Sequence, residues 1–120
     1  MSDLTTAGAT RIATELHSGS FGSGAYVGVG NGTTLFSIAQ TDLQGASKER
    51  VQVTSSTVNT NTISFTATFG TSQGNFAWNE VGVFNGASGS DTMLVRKVTS
   101  IITKTSSMSI TLTVNVQFTA

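Results

Sequence analysis

The sequence predicts an all-β fold, an antiparallel β-sandwich of jelly-roll type or a barrel, with at most one short helix. Three observations predict it. The C-terminal stretch alternates apolar and polar residues without a break, Thr and Ser together supply about three residues in ten, and strand-like segments recur about every ten residues with Gly, Asn and Ser between them. Alternation with period two places every apolar side chain on one face of a pleated strand. Thr suits a half-wet pleated surface and is poor inside helices. Short strands spaced by turn residues are the layout of a sandwich or barrel.

The strongest element is the last. Met108, Ile110, Leu112, Val114, Val116 and Phe118 alternate with Ser109, Thr111, Thr113, Asn115 and Gln117, which reads as one long half-buried strand. Ile63, Phe65, Ala67 and Phe69 alternate with Thr and Ser in the same way, and Val51 with Val53 form a shorter run before them. Asn59, Thr60 and Asn61 between these runs suit a hairpin turn, because Asn tolerates left-handed backbone. Met93 to Ile102 predicts a strand with an irregular middle. Its short link to the last strand, Lys104 to Ser107, predicts that the two are antiparallel neighbours.

Phe76 to Phe84 predicts an aromatic-rich strand that ends at Asn85-Gly86, where an exposed loop runs to Asp91. Ile12, Thr14 and Leu16 predict a strand, and Ala25, Val27 and Val29 another that ends at Gly30-Asn31-Gly32. Thr33 to Gly45 is the one plausible place for a helical turn. The spacing suggests no linker and no tandem repeat. The expected organisation is one β domain over residues 1–120, with residues 1–24 as an N-terminal strand or arm.

Composition narrows the function. Six basic residues balance six acidic ones and only 10% of the chain is charged, so the electrostatic footprint that neutralises phosphates or anionic lipid is missing. Neither nucleic acid nor a membrane is an expected partner. With no Cys, a disulfide framework and a thiolate zinc site are both excluded. Residues 2–10 lack the basic start and apolar run of a secretory signal, which implies synthesis and use in cytosol-like solvent. A surface this poor in charge, with no Pro to protect strand edges, suits a chain in permanent contact with neighbours and hence a homo-oligomer.

No motif argues for catalysis, a cofactor or a metal. His17 is the only His and has no nucleophile elbow, and it reads as a surface or turn residue between two strands. The acids Asp3, Asp42, Glu49, Glu80 and Asp91 are scattered singly, and Glu15 beside His17 makes the only pairing of ligand types. Gly28, Gly30 and Gly32 lack the Lys-Ser/Thr of a phosphate loop and read as a tight strand-to-turn corner. The aromatics Tyr26, Phe76, Trp78 and Phe84 suit packing or an interface, with a sugar-stacking platform as the alternative. Glu80 stands out, since a carboxylate inside an apolar strand must find a partner if it turns inward. Arg50 and Arg96 are the cations in comparable strand settings. An outward-facing Glu80 on an alternating strand is the plainer alternative.

Taken in order, Ala25-Tyr26-Val27-Gly28-Val29-Gly30-Asn31-Gly32-Thr33-Thr34, Thr41-Asp42-Leu43-Gln44-Gly45, Arg50, Trp78 to Asn85, Met93-Leu94-Val95-Arg96 and Lys104 with the terminal alternation resemble small bacteriophage virion proteins and tail-fibre-associated β domains. The resemblance runs from Ala25 onward and leaves the first two dozen residues out. It implies a virion component made in the host cytoplasm, on the capsid surface or the tail, that binds and stabilises other virion proteins. A chain that starts at Met and stops soon after its last strand suits a separate decoration or adaptor subunit. The loops Gly30 to Thr34 and Asn85 to Asp91, with Asn31 and Asn85 at their starts, and the exposed strand edges are the expected contact surfaces, with sheet-edge pairing and Trp78 or Phe84 as an aromatic anchor carrying the affinity. A host-surface glycan-binding module is the alternative from another class.

Overall fold

The computed structural model describes residues 4–119. Helix α1 (Thr6–Ser18) is followed by seven strands: β1 (Tyr26–Gly30), β2 (Lys48–Gln52), β3 (Ser55–Asn59), β4 (Thr62–Phe69), β5 (Ala77–Phe84), β6 (Met93–Thr103) and β7 (Ile110–Gln117). They form two antiparallel sheets, β2-β1-β5-β6 and β3-β4-β7, packed as an open sandwich and not as a closed barrel. The all-β expectation therefore holds in its sandwich form, with one helix.

The core is where alternation says it must be. Val27, Val29, Val81 and Val83 of the first sheet face Ile63, Phe65, Ala67 and Phe69 of the second. All except Val81 are fully buried. Trp78 closes one end, its ring 4.8 Å from that of Phe69 at 61°. Its indole N–H donates to the Gly74 carbonyl at 2.8 Å, which removes the cost of burying a polar nitrogen. The outer face of the β4–β7 pair puts part of the Thr and Ser content to use. Ser64 pairs with Asn115 at 2.6 Å, Thr66 with Thr113 at 3.0 Å and Thr68 with Thr111 at 3.0 Å, a ladder of cross-strand hydrogen bonds facing solvent.

Four expectations are corrected. Residues 12–16 lie in α1 and not in a strand. Ile12, Thr14 and Leu16 show a two-residue spacing, but Ile12 and Leu16 are also one helical turn apart, and the positions that bury are Ala9 and Ala13, again one turn apart. Thr5 caps the helix, its Oγ1 accepting the Gly8 N–H at 3.0 Å. His17 is thus a helical residue whose Nε2 meets the Ser56 carbonyl at 2.7 Å and ties α1 to β3. Residues 33–45 form no helix, because their apolar side chains share no buried face.

The other two concern pairing. β6 and β7 are neighbours in sequence but lie in different sheets, with the turn at Thr105–Met108 carrying the chain across. β7 pairs instead along the full length of β4, from Thr62↔Gln117 to Phe69↔Ile110. Likewise Val51 and Val53 do not belong to the hairpin with Ile63. The chain leaves the first sheet after Gln52, and β3 makes the hairpin, with Thr60 and not an Asn in the left-handed region (φ 54°).

Gly30 ends β1, as the strand-to-turn reading has it, whereas Gly28 lies inside the strand; together with Gly82 on β5 they clear a lane down the outer face of the first sheet. A Cβ on Gly28 or Gly82 would sit 3.2 Å from a Leu43 methyl, and one on Gly30 would collide with the Glu80 carboxylate. The lane is filled by residues 31–47, which cross the outer face of this sheet as a strap.

Candidate interaction surface

Strand β5 alternates Val81 and Val83 inward, so Glu80 and Phe84 face out, under the strap. Glu80 is nevertheless completely buried. Its Oε1 accepts the Gln44 N–H at 2.9 Å and Arg96 Nε at 2.8 Å, while Oε2 accepts the Gly45 N–H at 2.8 Å and the Gly32 N–H at 3.0 Å. One carboxylate thus gathers three backbone amides from the two ends of the strap and one guanidinium from β6. Burial by itself would raise the Glu80 carboxyl, but the hydrogen bonds from Gln44, Arg96, Gly45 and Gly32 outweigh it and hold the group below its ordinary value.

Arg96 extends the tie. Its Nη1 donates to Gln40 Oε1 at 3.1 Å, inside the strap, whereas its Nη2 is buried without an acceptor. An unmet donor costs about 1–3 kcal/mol, so this ion pair fixes position more than it adds net stability. Asn31 completes the first end. Its N–H and Oδ1 pair with the Ser47 carbonyl (3.0 Å) and N–H (3.1 Å), and its own carbonyl accepts Asn79 Nδ2 at 3.2 Å.

A second node lies one strand away. Arg50 stacks its guanidinium 3.6 Å above the Phe84 ring, donates from Nη2 to Asp42 of the strap at 3.1 Å, and donates from Nη1 to the Gly86 and Ser88 carbonyls at 3.0 and 2.6 Å. Lys48 reaches the other Asp42 oxygen at 2.9 Å. Burial pushes the Asp42 carboxyl up, and the bonds from Lys48, the Leu43 N–H and Arg50 more than reverse it. Asn85 closes the neighbouring loop by a two-way pairing with Thr92, through its N–H at 3.1 Å and its Oδ1 at 2.8 Å.

Glu80, Arg96 and Asn31 therefore form one cluster, and Arg50 and Phe84 a second with Asn85 near by. Arg50 pairs with Asp42 and not with Glu80. Trp78 lies on the opposite, core side of the sheet. Trp78 and Phe84 are both fully buried, which corrects their reading as an exposed anchor or a sugar platform.

What the Glu80–Arg96 node holds at both ends, at Gly32 and at Gln40, is the span between those two residues. Residues 33–39 are all exposed, and they carry Leu35 at 84%, Phe36 at 55% and Ile38 at 94% of full exposure. Three large apolar side chains within four residues, anchored at both ends, are a different matter from scattered surface apolar residues, which are ordinary. Sequence reasoning missed them because it sought a helical period there; their density beside a Gly-rich strand end was the available signal. It named Lys104 without foreseeing its burial near the sandwich end, where its Nζ lies 2.7 Å from Asn75 Oδ1.

The chain is matched over residues 1–118 by the family described as phage tail-collar fibre protein, N-terminal. It belongs to that family. The match includes the first 24 residues, which the sequence resemblance left out, so α1 is part of the family domain. A search of curated proteins found no match. Membership makes the chain a phage tail-fibre structural protein and points to the tail of the virion. Among the described residues no helix is long and apolar enough to cross a membrane.

Proposed function

We propose that this domain is a tail or tail-fibre subunit that docks on neighbouring virion proteins through the tip of its strap, Leu35-Phe36-Ser37-Ile38. The exposure of those three apolar side chains on a doubly anchored loop is the observation that carries the reading. Fully burying each side chain is worth about 1.5–3 kcal/mol, enough for useful affinity once the costs of association are met. The anchors supply the other requirement, since a loop already held in shape loses less freedom on binding.

The mechanism is binding and stabilisation, with no chemical step. Several copies bound around a tail would form the homo-oligomer that the low charge suggests, put together in the host cytoplasm. Membership of a tail-fibre family favours the tail over a capsid-decoration role. The glycan-binding alternative loses its best support with Trp78 and Phe84 inside the molecule. Electron microscopy of particles assembled without the subunit and then incubated with gold-labelled protein tests the assignment. Label confined to the tail is the expected result; label on the head, or none, contradicts it.

A further inference from the structure

Two Asn-Gly pairs occur in the chain, Asn31-Gly32 and Asn85-Gly86. An Asn followed by Gly is prone to lose its side-chain amide, because a glycine has no Cβ to hinder its backbone nitrogen from reaching the asparagine Cγ. The two pairs begin alike. Asn31 Oδ1 accepts the Ser47 N–H at 3.1 Å and Asn85 Oδ1 the Thr92 N–H at 2.8 Å, so each side-chain carbonyl has a donor where negative charge develops during attack. The attacking nitrogens differ. Gly32 is buried, its N–H donates to Glu80 Oε2 at 3.0 Å, and the Asn31 carbonyl accepts Asn79 Nδ2 at 3.2 Å, so the peptide between them is held on both sides. Glu80 is also a poor base for that proton, since its carboxylate already accepts four donors and its carboxyl is held low. The Gly86 N–H donates to no acceptor among the described residues, and Gly86 is partly exposed at the head of a loop whose residues 87–90 are exposed.

We infer that Asn85 is a site of spontaneous deamidation in the folded protein, and that the Glu80 clamp keeps Asn31 intact. The Gly86 nitrogen gives up its proton and bonds to Asn85 Cγ. The Cγ–Nδ2 bond then breaks, and the side-chain nitrogen leaves as ammonia with that proton, which closes a succinimide ring. Water next breaks one of the two C–N bonds of the imide. Breaking the bond to Cγ leaves Asp, and breaking the bond to the main-chain carbonyl leaves isoaspartate. Either product adds one negative charge to a chain that has none in balance. Isoaspartate also lengthens the main chain by one carbon just before the Gly86 carbonyl, which Arg50 Nη1 holds at 3.0 Å. The reaction therefore loosens the Arg50 node and changes the charge of its loop as the protein ages.

The test holds the full chain folded in mildly alkaline buffer at physiological temperature and maps its peptides by mass spectrometry over time. An isoaspartyl methyltransferase assay counts the isoaspartate. Asn85 is expected to convert at least about tenfold faster than Asn31. The same chain unfolded in guanidinium chloride is the reference, because both pairs are then plain Asn-Gly and are expected to convert at matching rates. Equal rates in the folded chain, or Asn31 ahead of Asn85, overturn the inference. So does an Asn85 that survives in the folded chain and is lost in the unfolded one. A gap between the two sites that persists after unfolding overturns it as well, since the clamp would then not be its cause.

Discussion

Glu80 ties both ends of residues 31–47 to the sheet. Replacing it by Gln keeps the shape but removes the charge that three amides and Arg96 converge on, and it leaves Arg96 buried without a counter-ion. Breaking one side of such a pair costs about 3–5 kcal/mol, and the urea midpoint of Glu80→Gln is expected to fall accordingly. An outward, solvated glutamate would leave the midpoint where it was. The pH dependence follows from the same group. Its carboxyl is held low in the folded state, so the unfolded chain takes up the proton first as pH drops. The contribution is complete above the ordinary carboxylate range, roughly 4 to 4.5, and is lost as pH falls through that range toward the lower folded value. Asp42 acts in the same sense. Thermal melts of the wild type should therefore drop steeply in acid, and those of Glu80→Gln less so; parallel profiles would remove Glu80 from the account.

Strands and strap depend on one another through the glycine lane. An alanine at position 30 pushes its methyl into the Glu80 carboxylate, and overpacking of that kind costs about 1–3 kcal/mol. Gly89→Ala meets nothing and is expected to change stability by less than roughly 0.5 kcal/mol, so equal melting temperatures for the two variants would refute the packing argument. On the helix, Thr5→Ala removes the cap on the Gly8 amide and is expected to cost about 1 kcal/mol by denaturant titration. These elements were not equally legible. β4 and β7 could be read because each repeats its period over eight residues with one face buried, and the stripe needs no knowledge of the partner. Helix α1 could not, because it buries two alanines, and small side chains leave almost no hydrophobic contrast. Which sheet β7 joins was also out of reach, since a short link constrains distance and not pairing. Glu80 could be singled out as an acid that needs a partner if it turns inward, with Arg50 and Arg96 as candidate cations, but the amides that complete the site belong to residues whose side chains say nothing about it.

At the level of the whole molecule, the sandwich serves as a frame. One outer face carries a strap, two ion-pair nodes hold the strap, and its apolar tip stands in solvent where a neighbouring virion protein can cover it. Pattern reading passed over the tip for a physical reason: apolar residues were assumed to seek this chain's own core, whereas these remain outside it. The most direct measurement compares wild type with the Leu35→Asp/Ile38→Asp variant, recording the melting temperature of each and its binding to tails that lack the subunit. Unchanged melting with binding lost is the expected result. A variant that melts like the wild type and binds tails as tightly would contradict the account.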